Sequence, residues 1–240
     1  MLTRVPGAGV TQDRYRVVAA PIARRLWNID VRGLENLPEQ GPAVVCANHV
    51  SFLDSVFLML ETPRRISFVG KAEYMQSWKT KFVFPALGMI PIDRSGGSRS
   101  HAALDVARRV LERGELFGIF PEGTRSRDGR LYKGHTGGSR LALQVGCPIV
   151  PVGITGTAEI QPADAKVPKL GGSCTIQFGR PLPTTGYSQR DSARATRQLM
   201  DEVMFEIRTM TGQTYVDRYA QQSTTAPTAS AMVNDTAHSS

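Results

Sequence analysis

The order of apolar and polar positions divides the chain into alternating strand-like and helix-like stretches. Ala43-Val44-Val45-Cys46-Ala47 carries no polar group that would face water, which is the mark of a strand buried on both faces. Beyond it, Val56, Phe57, Leu58 and Leu60 crowd a short helix predicted over about 52–61, with Ser51 and Asp54 forming a capping box at its start. Ile66-Ser67-Phe68-Val69, closed by Gly70-Lys71, predicts the next strand, and Met89-Ile90-Pro91-Ile92 and Leu116-Phe117-Gly118-Ile119-Phe120 predict two more. Ile149-Val150-Pro151-Val152 is too apolar to be exposed, although Pro151 argues for a sheet edge or a strand end. Residues 155–172 read as loop, and 174–178 as a further strand. Leu104, Ala107 and Leu111 line a helix over 99–113 stopped by Gly114, Leu141, Ala142 and Val145 line another, and Leu199, Val203, Ile207 and Met210 line a long one over 192–210. This alternation predicts a single α/β domain.

The N-terminal pattern is of another kind. Tyr15, Val18, Ile22 and Leu26 recur at helical spacing among Arg14, Arg16, Arg24 and Arg25, and the stretch ends at Trp27. Two readings stay open: a basic amphipathic helix lying on a membrane surface, or a stripe packed on the domain core, with Pro21 interrupting either. The chain therefore divides into a basic amphipathic segment over 1–28, an α/β domain over 29–211 and an extension over 212–240. From about residue 221 the Ser, Thr and Ala content predicts disorder.

Composition and charge narrow the picture. The chain has 240 residues, of which 41% are apolar and 21% charged, which suits one domain with a sizeable core. Its net charge of +8 is concentrated in two segments: residues 1–27 hold five Arg and one Asp, and residues 63–81 hold five Lys or Arg and one Glu. Neither is a block of consecutive like charges, so an anionic membrane surface or an acidic ligand is expected rather than nucleic acid. Cys46, Cys147 and Cys174 are far apart in sequence, which offers neither a disulfide framework nor a metal knuckle and predicts a reducing compartment. No apolar run is long enough to span a bilayer, and no signal-peptide core opens the chain. Trp78, Phe82 and Phe84, interleaved with Lys79 and Lys81, read as a membrane or acyl-chain contact.

The chemistry centres on two turns. On a continuous helix His49 and Asp54 would lie about 140° apart, so the pair can meet only where the backbone changes course. A strand-to-helix turn at 48–52 supplies that change. One reading makes Asp54 a cap for Ser51 and His49 an ordinary loop residue; the other makes them a general base and its orienter. The second turn is Pro121-Glu122-Gly123-Thr124-Arg125-Ser126, where a strand ends and a basic loop begins. Lys71, Arg94 and Arg125 each follow a predicted strand, the place where ligands collect in open α/β sheets.

Four motifs together resemble the glycerophospholipid acyltransferases typified by 1-acylglycerol-3-phosphate acyltransferase. They are Asn48-His49 with Asp54, the stretch from Gly88 to Arg94, the stretch from Phe120 to Ser126, and Ile149 to Val152. The resemblance covers roughly residues 30–185. It implies a mixed, mostly parallel sheet flanked by helices, and transfer of a fatty acyl group from acyl-CoA or acyl carrier protein to lysophosphatidic acid or a related lysolipid. No metal, cofactor or acyl-enzyme is implied. His49 would be the base and Asp54 its orienter, while Lys71, Arg94, Glu122, Gly123, Thr124 and Arg125 would form the substrate-phosphate site, with Glu122 orienting Arg125, the loop backbone or a glycerol hydroxyl. The expected location is the cytoplasmic face of the cell membrane, attached peripherally, because the N-terminal stretch is shorter and more charged than the spanning segments of many relatives. A lipid hydrolase is disfavoured by the lack of a Gly-x-Ser-x-Gly elbow, and a metal phosphatase by the scatter of His49, His101, His135 and His238. A non-catalytic lipid-binding module of the same fold is the alternative from another class.

Overall fold

The computed structural model describes residues 10–71, 88–92, 99–187 and 192–221. Its centre is a seven-stranded sheet. In chain order the strands are β1 (Asn28–Arg32), β2 (Ala43–Ala47), β3 (Ile66–Lys71), β4 (Met89–Ile92), β5 (Leu116–Ile119), β7 (Ile149–Thr155) and β8 (Ser173–Phe178), arranged spatially as β1-β8-β7-β2-β5-β3-β4. Neighbours pair in parallel except β7 with β8, so five strands share one direction and β8 and β1 run the other way. The carboxyl ends of β2, β3, β4, β5 and β7 consequently lie along one edge. A small parallel ribbon of β6 (Leu131–Tyr132) and β9 (Tyr215–Val216) brings residues 215–216 back beside the loop after β5.

Alternation along β2 assigns its neighbours. Val45 and Ala47 pack in one apolar layer with Phe57 and Leu58 of α2 (Leu53–Glu61) and Ala20 and Ala23 of α1 (Val10–Leu26). Val44 and Cys46 point to the opposite layer, with Leu111 of α3 (Arg99–Glu112), Leu141 of α4 (Gly137–Val145) and Val203 of α6 (Ser192–Thr211). Helices thus cover both faces, as an all-apolar central strand requires.

Three expectations need correcting. Pro151 lies in β7, an interior strand between β2 and β8. Its carbonyl accepts Gly179 N–H on the β8 side, and the antiparallel ladder with β8 begins only at Val152, so the missing N–H of Pro151 falls one step outside that ladder. Pro21 does not interrupt α1, because its ring is exposed and the helix continues through it. The third correction concerns which side of α1 is covered. Ala20, Ala23 and Gln12 are buried against the domain, and the Gln12 amide donates to Ile66 O at 3.0 Å. Arg16 donates to Thr62 O at 2.9 Å, and Arg24 grips the buried Glu61 carboxylate, with Nε to Oε2 at 3.0 Å. The stripe of Tyr15, Val18, Ile22 and Leu26 is left outside, with Val18 64% and Ile22 55% exposed. The core-packing reading of that stripe therefore fails, since small alanines let α1 approach α2 on its other side.

Candidate active site

β2 delivers Asn48 and His49 to the edge where the parallel strands end. Asn48 is fully buried, and its side chain extends the ladder one step past the last backbone pair: Oδ1 accepts Ile154 N–H at 2.7 Å, while Nδ2 donates to Ile154 O at 2.8 Å and Gln213 Oε1 at 3.0 Å. The backbone at His49 is thereby released to turn. His49 N–H donates to Glu122 Oε1 at 3.0 Å, and His49 O accepts Ser126 N–H at 2.7 Å, so the two chemical turns are fastened to each other through main chain.

Asp54, in the first turn of α2, is inaccessible to solvent and fully hydrogen-bonded. Its Oδ2 lies 2.9 Å from His49 Nδ1 and accepts Val50 N–H and Ser51 N–H, both at 2.8 Å. Its Oδ1 accepts Thr157 Oγ1–H at 2.6 Å, from the helical turn α5 (Thr157–Ile160) that follows β7. The cap and the base-orienter are one arrangement: the carboxylate that caps the turn also faces the imidazole. Ser51 Oγ donates to Gln161 O at 2.8 Å and accepts Leu53 N–H at 3.2 Å.

The imidazole is fixed from the side as well. Its ring stacks on Phe120 with centroids 3.9 Å apart, and Phe120 in turn stacks on Phe68 at 5.4 Å. Phe68 pairs across the ladder with Gly118, where an added Cβ would fall 2.1 Å from the Phe68 ring. A glycine in β5 is what lets this aromatic column stand behind His49.

Glu122 is 1% exposed, and both its oxygens take backbone N–H groups, from His49 at 3.0 Å and from Tyr132 at 3.0 Å. Burial pushes its carboxyl up to about 7 against the downward pull of the Tyr132 and His49 N–H groups, with the Asp54 charge adding to the rise. This carboxylate holds loop backbone. Gly123 follows with φ of 74°, a left-handed turn closed by its N–H to Phe120 O at 3.0 Å, and Thr124 and Arg125 beyond it are half-buried. Lys71 ends β3 on the same sheet edge. Arg94, Trp78, Phe82 and Phe84 lie outside the described residues. Among the described residues no three His, Cys, Asp or Glu side chains converge as they would on a metal ion.

Sequence reasoning assigned no role to Thr157, Phe120 or Ser126, or to the side chain of Asn48. Thr157 lies 103 positions from Asp54 in a stretch expected to be loop, and no local pattern signals that contact. Phe120 closes a predicted strand and heads a motif, but nothing in the sequence signals the role of its ring.

A family profile described as acyltransferase matches residues 28–155, more than half of the 240 residues. The chain is 30% identical over 180 residues to the chloroplastic 1-acyl-sn-glycerol-3-phosphate acyltransferase BAT2 of Brassica napus, covering 71% of this chain and 52% of that protein. It is also 30% identical over 164 residues to the human 1-acyl-sn-glycerol-3-phosphate acyltransferase alpha, covering 68% of this chain and 58% of that one. The chain spans about half the length of the curated relatives it matches. Its fold is similar to the crystal structure of the 1-acyl-sn-glycerophosphate acyltransferase of Thermotoga maritima, with a TM-score of 0.59 and 23% identity over 84% of both chains. The mixed sheet, the match across the segment that bears both turns, and these sequence relatives agree: the chain belongs to the acyltransferase family.

Proposed function

We propose that the protein transfers a fatty acyl group from the thioester of acyl-CoA or acyl carrier protein to the free hydroxyl of 1-acylglycerol-3-phosphate, giving phosphatidic acid for phospholipid biosynthesis. The observation that carries this reading is the contact of His49 Nδ1 with a buried, fully hydrogen-bonded Asp54 carboxylate at 2.9 Å. It fits a tautomer with the proton on Nδ1 and leaves Nε2 as the base. In the reaction the acceptor oxygen attacks the thioester carbonyl while Nε2 takes its proton. The new C–O bond forms, the C–S bond breaks, and the imidazolium returns its proton to the departing thiolate. Asp54, already aimed at Nδ1, stabilises the imidazolium without moving.

Arg125, half-buried on the loop that Glu122 holds, is the cation assigned to the acceptor phosphate, with Lys71 and Arg94 as further candidates from neighbouring strand ends. The acceptor class comes from the names of the sequence relatives. Work on a lipid acceptor places the enzyme at a membrane surface, by this reading the cytoplasmic one. Among the described residues no helix is long and apolar enough to cross a membrane.

Thiol release from acyl-CoA in the presence of lysophosphatidic acid tests the assignment. His49→Ala should lower turnover by about 10² to 10⁴ with the fold retained, because a positioned base is removed from a turn and no core volume is lost. Near-normal turnover by folded His49→Ala protein would reject the role of His49.

A further inference from the structure

The outward stripe of α1 does not stand alone. The segment between α5 and β8 carries Val167 and Leu170, 75% and 78% exposed and the most exposed large aliphatic side chains among the described residues. That segment is held in place by hydrogen bonds. Lys169 N–H donates to Ile160 O at 2.9 Å, Ala165 N–H to Pro162 O at 3.0 Å, and the Gln161 amide to Ala165 O at 3.2 Å. It is also fastened to the end of α1, through Trp27 Nε1–H to Lys169 O at 2.7 Å and Gly171 N–H to Leu26 O at 3.0 Å. Two exposed apolar surfaces are thus joined at one corner.

Charge identifies what would cover them. Residues 14–26 contain four Arg and no acidic residue, and residues 165–172 contain Lys166 and Lys169 and no acidic residue. Arg14, Arg25, Lys166 and Lys169 are exposed. Arg16 and Arg24 pair with Asp13 and Glu61, which leaves Arg14, Arg25, Lys166 and Lys169 as the exposed cations around these apolar side chains, a pattern that matches the boundary between lipid phosphates and acyl chains. The corner is also close to the chemistry, since Gln161, where this segment begins, accepts Ser51 Oγ–H, and Thr157, one turn earlier, holds Asp54.

We propose that the outer stripe of α1 and the 166–170 segment form one docking face for an anionic bilayer, with Val167 and Leu170 inserting beside Leu26 and Lys166 and Lys169 meeting headgroup phosphates. The face rests on the lipid-acceptor reading and specifies how that acceptor is reached. A lipid drawn from the bilayer here arrives at the end of the sheet where His49 lies.

Sedimentation with phosphatidylcholine vesicles, with and without phosphatidylglycerol, tests it on the full chain. Wild-type protein should prefer the anionic vesicles and lose binding as salt rises. Val167→Asp with Leu170→Asp should weaken binding by roughly tenfold or more, and Val18→Asp with Ile22→Asp likewise. Lys166→Gln with Lys169→Gln should weaken binding to anionic vesicles about tenfold and leave neutral ones unchanged. All these side chains are exposed, so thermal melts should stay at the wild-type value. Wild-type-like vesicle binding by the folded Val167→Asp, Leu170→Asp protein overturns the proposal. So does a wild-type dimer, seen by analytical ultracentrifugation, that the same substitutions dissociate. Wild-type protein that acylates a short-chain, fully dispersed lysophosphatidate but ignores anionic vesicles rejects the face and keeps the activity. Protein that binds vesicles through these residues yet acylates nothing supports the face and rejects the activity.

Discussion

Replacing Glu122 with Gln isolates the buried carboxylate that joins the two turns. Each carboxylate oxygen accepts one backbone N–H, and an amide can offer an oxygen to only one of them. The other N–H then faces an NH2 group, a loss of about 1–3 kcal/mol for a buried donor. Against this stands the cost of holding a charge in an apolar site. Burial moves the carboxyl from an ordinary 4.5 to about 7, so between those limits the folded protein binds more protons than the unfolded chain and wild-type stability falls as pH rises. At roughly 1.4 kcal/mol per pH unit, the fall amounts to about 3 kcal/mol by the time the pH passes 7. Gln does not titrate and escapes it. On going from pH 4.5 to above pH 7 wild type should therefore lose about 3 kcal/mol of stability relative to Glu122→Gln. Urea unfolding of both proteins across that range measures the gap between them, and titrating groups that do not feel Glu122 cancel in the difference. A gap that stays constant from pH 4.5 to above 7 would show that Glu122 does not carry its proton into the neutral range.

Other substitutions probe the supports of the site. Thr157→Val keeps the shape but strips the hydroxyl from Asp54 Oδ1, so stability should drop by about 1.5–3 kcal/mol in urea unfolding; a change under about 0.5 kcal/mol would mean the bond is not needed. Gly118→Ala drives a Cβ into the Phe68 ring and should cost about 1–3 kcal/mol while also lowering turnover through the Phe120 column, and normal stability with normal turnover would contradict the close approach. Arg125→Ala should raise KM for lysophosphatidate by an amount worth roughly 1.5–3 kcal/mol and leave KM for acyl-CoA alone; the reverse pattern assigns the phosphate elsewhere.

The strands were readable because burial on both faces leaves an unbroken apolar run, as at Ala43–Ala47, and the His49 turn because a strand signal and a capping signal meet there. What stayed hidden depends on distance in sequence. Periodicity located the α1 stripe but not its direction, since the helix is anchored through Ala20, Ala23 and hydrogen bonds to Ile66 and Thr62 that no local pattern announces. Glu122 offered several partners on paper and met two backbone N–H groups, one belonging to a turn 73 positions earlier. The β6 and β9 pairing joins two-residue strands too short to leave any alternation.

The side chain of Asn48 has a consequence for how the protein ages. An asparagine loses ammonia when the backbone nitrogen of the next residue attacks its side-chain carbon. Here that nitrogen belongs to His49 and is turned toward Glu122, while the amide itself is clamped between Ile154 and Gln213. In the folded state the attack has no route. Loss of ammonia at Asn48 in a stored sample is then a covalent record of time spent unfolded, and it puts an oxygen where Ile154 O expects a donor. A molecule marked in this way cannot rebuild the step of ladder that frees His49 to turn, so transient unfolding becomes permanent damage at the site.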